Sequence, residues 1–277
     1  MLADHRVLSV LAHPDDESFL CAGTLAMFVD EGAAVCVVSA TRGEVGEIAE
    51  GVEATLDTLG EVREQELRSA MSELGVDDVR FLGYRDSGMA GTADNTHPNA
   101  LAQAPVEETG SRIATAMNEF EPTILITFGP EGVYLHPDHV AVHHAAMAAI
   151  VQASSDRRAH RPSTMVFAAM PREFFLEIFN EPGSMLEAVQ HETLLQMGTP
   201  RHEITHHVDV SDWLSQKRAA LARHRSQFGD KEALSDVPAE IAEMILRSEY
   251  FKQQSLPWDQ AMPPRFPLGQ MPGVEAH

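Results

Sequence analysis

Val7-Leu8-Ser9-Val10-Leu11-Ala12 runs directly into His13-Pro14-Asp15-Asp16-Glu17. The apolar part, taken from Arg6 to Ala12, reads as a buried strand, and the polar part as the loop that ends it. Pro14 fixes the turn and biases His13 away from helical geometry. An imidazole and three carboxylates therefore gather where a strand should stop. The pattern recurs downstream. Thr123 to Phe128, entered through Pro122, reads as another strand, and His136-Pro137-Asp138-His139 follows it.

Working outward, Ala34 to Ala40 is a second valine-rich strand and Val79 to Leu82 a short third. Thr164 to Met170 and Ile204 to Val210 are further candidates. Helical spacing covers Gly23 to Asp30, Leu59 to Leu74, Val106 to Phe120 and Pro137 to Ala153. It returns from Asp212, behind a Ser211 cap, to about Phe228, and again from Pro238 to Leu246. Strands alternating with helices predict an α/β, Rossmann-like fold: a mostly parallel sheet with helices on both faces. The organisation expected is one domain over 1–254, with an irregular excursion at 170–204, and a proline-rich tail over 255–277. In such sheets ligands bind beyond the carboxyl ends of the strands. His13 to Glu17, Thr41 to Glu47, Tyr84 to Asp86 and Phe128 to His139 all fall there, so separate loops should converge on one crevice.

A chain of 277 residues that is 44% hydrophobic suffices for one large domain with a full core. No apolar run is long enough to span a bilayer, and Met1 to Arg6 lacks the regions of a signal peptide. A cytoplasmic location follows as the expectation. The formal charge of -22, from 20 basic and 42 acidic residues, repels nucleic acid and anionic lipid. Neither is expected as a partner; a small molecule is, and a homo-oligomer stays open. Cys21 and Cys36 sit among apolar neighbours and read as buried free thiols.

The two clusters offer the donors of one catalytic metal site with an open position. A tight turn brings His13 and Asp16 onto one cation and leaves Asp15 beside it as a general base. His136 and His139 can both ligate. Three protein ligands plus solvent is the usual arrangement, so one histidine is spare. A spare, protonated imidazole can stabilise an oxyanion and protonate a leaving amine, with Asp138 holding it in its charged form. An acid–base pair of this kind predicts a bell-shaped pH profile.

Plainer readings compete at other positions. Glu17 reads as an acidic helix start, and His97-Pro98-Asn99 lacks the carboxylate and reads as loop. His143 lies one helical turn from His139 and suits the core; His206 and His207 carry no assignment. Lys217, His224 and Gln227 share a helix face by spacing, which is as consistent with packing as with chemistry. Phosphoester hydrolysis at two metals would want a second carboxylate set. A nucleotide-binding or sensor module would want Gly-x-Gly-x-x-Gly where His-Pro-Asp-Asp-Glu stands.

The two motifs, in this order, resemble the LmbE-like (PIG-L) deacetylase family, over a stretch from His5 to Ile150 with a weaker trace at Lys217 to Gln227. Thr41-Arg42-Gly43-Glu44, Arg63 and Glu66 before Leu74-Gly75-Val76, and Arg85-Asp86-Ser87-Gly88-Met89 extend the likeness. The resemblance implies a hydrolase that removes acetyl from N-acetylglucosamine-type groups, or an amidase acting on a thiol-conjugate amide. It implies Zn2+, with Fe2+ as the alternative, held by His13, Asp16 and His139. Asp15 would be the base and His136 the protonated group at the oxyanion and leaving nitrogen, tuned by Asp138. Tyr134 would line the mouth and assist the tetrahedral intermediate. Arg63 and Asp86 would hold sugar or inositol hydroxyls, with Glu47 nearby. Where the family often has Gly-Gly-Tyr-Gly, this chain has Gly132-Val133-Tyr134-Leu135. The lost glycines should stiffen that loop and narrow the mouth.

Overall fold

The structure is a computed structural model that describes residues 2–180, 189–235, 237–259 and 265–269. Its strands are β1 (Arg6–Leu11), β2 (Ala34–Thr41), β3 (Asp78–Tyr84), β4 (Ile124–Phe128), β5 (Thr164–Ala169), β6 (His206–Asp209) and β7 (Ser248–Gln254). They form one sheet in the order β3-β2-β1-β4-β5-β7-β6. From β3 across to β5 all pairs are parallel; β7 runs antiparallel to both β5 and β6. The expected Rossmann-like α/β architecture is therefore what the chain adopts.

β1 and β4 are central strands buried on both faces, which is why they read as continuous apolar runs. The chain steps from β1 to β2 to β3 in one direction and from β4 to β5 in the other. Right-handed crossovers then place the helices of the first direction on one face and those of the second on the other. On one side Val106–Phe120 packs along Pro137–Ser155; on the other, Ala22–Asp30 and Leu59–Glu73 each pack on Leu214–Leu221. The strand order reverses between β1 and β4, and the crevice beyond such a switch point is the standard ligand site of these sheets.

The sequence reading misses β7. Its residues, Ser-Glu-Tyr-Phe-Lys-Gln-Gln, are too polar to register as a strand, and Glu249 is nonetheless buried. That carboxylate accepts from the Gly23 and Thr24 backbone N–H groups at 2.9 and 2.8 Å and from Lys217 Nζ at 2.8 Å. The helix expected from Asp212 to Phe228 is interrupted: Leu214–Leu221 is helical, the chain then turns, and Arg225–Phe228 is a separate short helix. Lys217 and His224 consequently do not share a face. Within the excursion, Arg172–Asn180 and His191–Leu194 are helical, and 181–188 lie outside the described residues. So do 260–264 and 270–277 of the tail, while Phe266 is buried against Phe28 and Phe251. Among the described residues, no helix is long and apolar enough to cross a membrane.

Candidate active site

His13, in the loop past β1, is 6% exposed, and Asp16 and His139 are buried beside it. Its Nδ1 lies 3.2 Å from His139 Nε2 and 3.5 Å from Asp16 Oδ2, and His139 Nε2 lies 3.2 Å from Asp16 Oδ1. The hydrogen bonds on the far sides of the rings say which nitrogens carry lone pairs. His139 Nδ1 donates to the Gly132 carbonyl at 3.1 Å, and His13 Nε2 donates to Asp138 Oδ2 at 3.1 Å. His13 Nδ1 and His139 Nε2 are therefore left as acceptors, facing each other and the Asp16 carboxylate. A tetrahedral ion with bonds of about 2.0–2.2 Å needs donors about 3.3–3.6 Å apart. The observed separations, 3.2, 3.5 and 3.2 Å, lie close to that edge, with His13 and His139 each nearest a different oxygen of Asp16, so two imidazole nitrogens and a carboxylate converge as a divalent metal requires. His136 also brings a ring nitrogen within 4.8 Å of those of His13 and His139, but its orientation gives it another task.

His136 Nδ1 accepts the Asp138 backbone N–H at 3.1 Å, capping the helix Pro137–Ser155. The ring proton then resides on Nε2. Burial, followed by the positive neighbours His13 and His139, pushes the His136 pKa down to about 3. A pKa that low favours a neutral His136 that donates from Nε2, against the expectation of a protonated ring. The expectation for Asp138 changes with it. Its carboxylate is fully buried and accepts from His13 Nε2, from Ser87 N at 2.9 Å and from Ser87 Oγ. The Asp138 carboxylate is bonded to His13, while its backbone N–H is what is bonded to His136. Burial works against charge on His13, but hydrogen bonds to Asp138, Asp16 and Asp86 outweigh it and raise its pKa well above the ordinary value.

Asp15 stands at the start of the helix Asp16–Leu20 with φ 116° and ψ -27°, a conformation rare for any residue but glycine. Arg63 grips it. Its Nη2 donates to the Pro14 carbonyl at 2.6 Å and to Asp15 Oδ2 at 3.2 Å, and Nη1 donates to the Gly43 carbonyl at 2.9 Å. Arg63 was expected to hold sugar hydroxyls. Buried at 4% exposure, it gives Nη1 and Nη2 to Asp15 and the backbone, while its Nε has no hydrogen-bond partner and the residue still lines the cavity beside the cluster. Gly43 is required there: its φ is +63°, and a Cβ would lie 2.3 Å from Arg63 Nη1. Burial raises Asp15 to a pKa of about 6, with Arg63 opposing the shift and Asp16 adding to it.

A cavity of about 370 Å³ opens beside these groups, lined among others by His13, Asp15, Arg63, Asp86, Tyr134 and His136, with Glu47 and Gln227 at its side. The structure thus brings all ten sequence-predicted residues to one place, counting Asp16, Asp138 and His139 behind the wall. Asp86 accepts from Gly88 N at 2.8 Å, lies 3.6 Å from His13 Nε2 and is held below the usual carboxylate range by His13 against the cost of burial. The Tyr134 ring crosses His139 edge-on, with centroids 4.9 Å apart, and burial raises its hydroxyl pKa. Val133 and Leu135, which stand in the glycine positions of the resembled motif, keep left-handed backbones with φ of 63° and 66°. Glycine would adopt these freely, whereas Val133 holds its own only because its side chain is buried and its carbonyl accepts from Gly198 N at 2.7 Å.

Sequence reasoning missed Ser87, wholly buried between Asp138 and the Ala102 N–H, and Phe128, stacked on His139 at 4.1 Å. It also missed Ser226, which donates through N and Oγ to Glu66 at 2.7 and 2.6 Å. Gln227 Nε2 donates to the Glu47 carbonyl at 3.1 Å. The quoted Arg85-to-Met89 segment was a signal for Ser87; nothing local marks the others.

Residues 8–150 match the family described as GlcNAc-PI de-N-acetylase (PIG-L). A Streptomyces scabiei protein named 1D-myo-inositol 2-acetamido-2-deoxy-alpha-D-glucopyranoside deacetylase is 36% identical, covering 90% of this chain and 84% of the relative. Among solved structures, N,N'-diacetylchitobiose deacetylase from Pyrococcus horikoshii aligns with a TM-score of 0.61 at 19% identity, covering 90% of this chain and 84% of the other. The 4-carboxy-2-hydroxymuconate hydratase from Pseudomonas putida aligns at 0.58 and 18% identity, covering 93% and 99%. These two likenesses speak to the fold alone, since one fold can carry different chemistries.

Proposed function

The chain belongs to the PIG-L family, and we propose that it is a zinc-dependent hydrolase that removes the acetyl group from the nitrogen of an N-acetylglucosamine-type sugar, releasing acetate and a free amine. Iron is the alternative ion. The observation that carries this reading is the convergence of two imidazole nitrogens 3.2 Å apart on the Asp16 carboxylate, with an arginine-held carboxylate next to them. The 36% identity to a relative named as an inositol 2-acetamido-2-deoxyglucopyranoside deacetylase favours an N-acetylglucosamine linked to inositol as the substrate.

His13 Nδ1, Asp16 and His139 Nε2 would hold the ion. When bound, it supplies Lewis acidity at the acyl oxygen and lowers the pKa of water towards neutrality. Asp15 takes a proton from the attacking water; with a pKa of about 6 it is ionised at neutral pH and still a competent base. The developing oxyanion is stabilised by the Nε2–H of neutral His136, with Tyr134 over the same space. No proton is left on His136 to give away. The proton that Asp15 collected therefore passes to the amide nitrogen as the C–N bond breaks. Asp86 and Glu47, on the cavity wall, are placed to accept hydrogen bonds from sugar or inositol hydroxyls.

The test is amine release from a panel of N-acetylated sugars, including N-acetylglucosaminyl-inositol and simple N-acetylglucosaminides, with metal content measured on the same sample. Release that needs about one equivalent of metal and vanishes in Asp15→Ala supports the reading; absence of release across the panel overturns it.

A further inference from the structure

His224 has no part in that mechanism, yet it is wholly buried and reaches the loop that carries the base. Its Nε2 lies 3.2 Å from Glu17 Oε1 and 3.1 Å from Ser18 Oγ. Glu17 is 1% exposed, and its second oxygen, Oε2, accepts the Asp15 backbone N–H at 3.1 Å. The peptide at Asp15 is thus caught between two groups: the Arg63 guanidinium on the Pro14 carbonyl and the Glu17 carboxylate on the Asp15 N–H. Strained residues of this kind persist only when their surroundings over-determine them. Glu17 can do this only if its own carboxylate is fixed, and His224 and Ser18 fix it.

Two further observations set His224 apart from a packing residue. Its Nδ1 is buried with no hydrogen-bond partner, so the ring carries a cost that leucine would not, and any return comes through Nε2 alone. The segment that bears it is also tied to the rest of the site. Ser226 is bonded to Glu66, on the same helix as Arg63, and Gln227 is bonded to the Glu47 carbonyl. The chain break after Leu221, which ends the preceding helix, is what lets His224 point at Glu17 instead of continuing along a helix face.

We propose that His224 is a positioning residue that acts through Glu17 to lock the Asp15 peptide in its left-handed conformation and so aim the Asp15 carboxylate at the reacting water. The proposal rests on the reading of Asp15 as the base. A misplacement of about 1 Å in such a group costs about 10²-fold in rate.

The test compares His224→Gln, whose amide nitrogen falls near the site of Nε2, with His224→Asn, whose amide nitrogen falls near Nδ1 and does not reach Glu17. Glu17→Gln and the Glu17→Gln/His224→Asn double variant complete the set. Each is assayed, metal-loaded, on methyl 2-acetamido-2-deoxy-α-D-glucopyranoside and the rest of the panel of N-acetylated sugars, and each is titrated with cobalt to read the ligand field. The expected result for His224→Asn and Glu17→Gln is a kcat lower by about 10²-fold, with KM and the cobalt spectrum unchanged. The double variant falls no further than either single, and His224→Gln recovers kcat. Wild-type kcat in His224→Asn would overturn the proposal. So would an altered cobalt spectrum or loss of the folded protein in His224→Asn and His224→Gln alike, since packing would then account for the residue. Wild-type amine release separates the layers: the variants are compared on whichever sugar of the panel the wild type turns over, and if it turns over none the base reading falls and takes this inference along, whereas with release only the inference is at stake.

Discussion

Replacing Asp138 decides between two accounts of the second motif. The carboxylate receives three donors: Ser87 N at 2.9 Å, Ser87 Oγ, and His13 Nε2 at 3.1 Å. In Asp138→Asn the side-chain carbonyl can take the place of Oδ2 and keep both N–H donors. The Ser87 hydroxyl can rotate to face the new amide. The fold should survive, but His13 loses an anionic acceptor. Groups that orient a metal ligand are typically worth 10–100-fold in affinity, or about 1.4–2.7 kcal/mol. In Asp138→Ala the two N–H donors are stranded in a site that is 0% exposed. At about 1–3 kcal/mol for each stranded group, the cost is about 2–6 kcal/mol, a large share of a typical stability of about 5–15 kcal/mol. Competition for zinc against a colorimetric chelator and urea denaturation of the metal-free proteins measure the two quantities separately. Wild-type metal affinity in Asp138→Asn, together with a fall in kcat, would refute this account. It would return Asp138 to the role that sequence proximity suggests, as the partner of His136.

Other expectations follow from the same geometry. Activity should fall as pH drops through about 6, where Asp15 takes up a proton, and a cation beside it moves that limb lower still. With the His136 pKa near 3, the free enzyme has no alkaline limb from this residue, so a kcat/KM profile that bends above neutral with the signature of His136 would contradict the assignment. Metal affinity should weaken as pH falls, because the proton that His13 holds with a raised pKa must leave before the ion binds; isothermal titration in buffers of different ionisation enthalpy reads the released proton. Gly43→Ala puts a Cβ 2.3 Å from Arg63 Nη1 at a φ of +63° and should displace the guanidinium from Asp15, lowering kcat about 10²-fold while metal content stays at the wild-type level. Lys217→Met strands the Glu249 carboxylate where both side chains are within 1% of full burial, and should cost about 3–5 kcal/mol in denaturation. Adding Glu249→Leu should recover only part of this, because the Gly23 and Thr24 N–H groups lose their acceptor as well.

The half of the fold that was legible is the half whose burial is apolar. β1, β2, β4 and β5 announce themselves because each is covered on both faces, and their carboxyl ends then locate the crevice. β7 escapes the same logic, since Glu249 is matched by Lys217 from a distant helix and no local pattern records that match. The helix break between Leu221 and Arg225 carries neither proline nor glycine and is imposed by tertiary contacts at His224 and Ser226. The identity of the site residues was readable from two short motifs, whereas the wiring among them was not. Asp138 lies next to His136 and His139 along the chain and was assigned to the former. In space the helix start turns its carboxylate across the sheet to His13. Arg63 was assigned to substrate hydroxyls from the motif, and its bonds to Pro14, Gly43 and Asp15 are legible only in the structure.

The strand order has a consequence for dissecting this molecule. Every proposed ligand lies before residue 150, inside the stretch that matches the family, and a shortened chain ending there would be chemically complete on paper. It would also lack β5, leaving the backbone of β4, a wholly buried strand at the middle of the sheet, as a bare edge open to self-association. Glu17 would lose His224 at the same stroke. The half that carries the donors depends on the half that carries none of them, so a minimal catalytic fragment of this chain should precipitate rather than turn over.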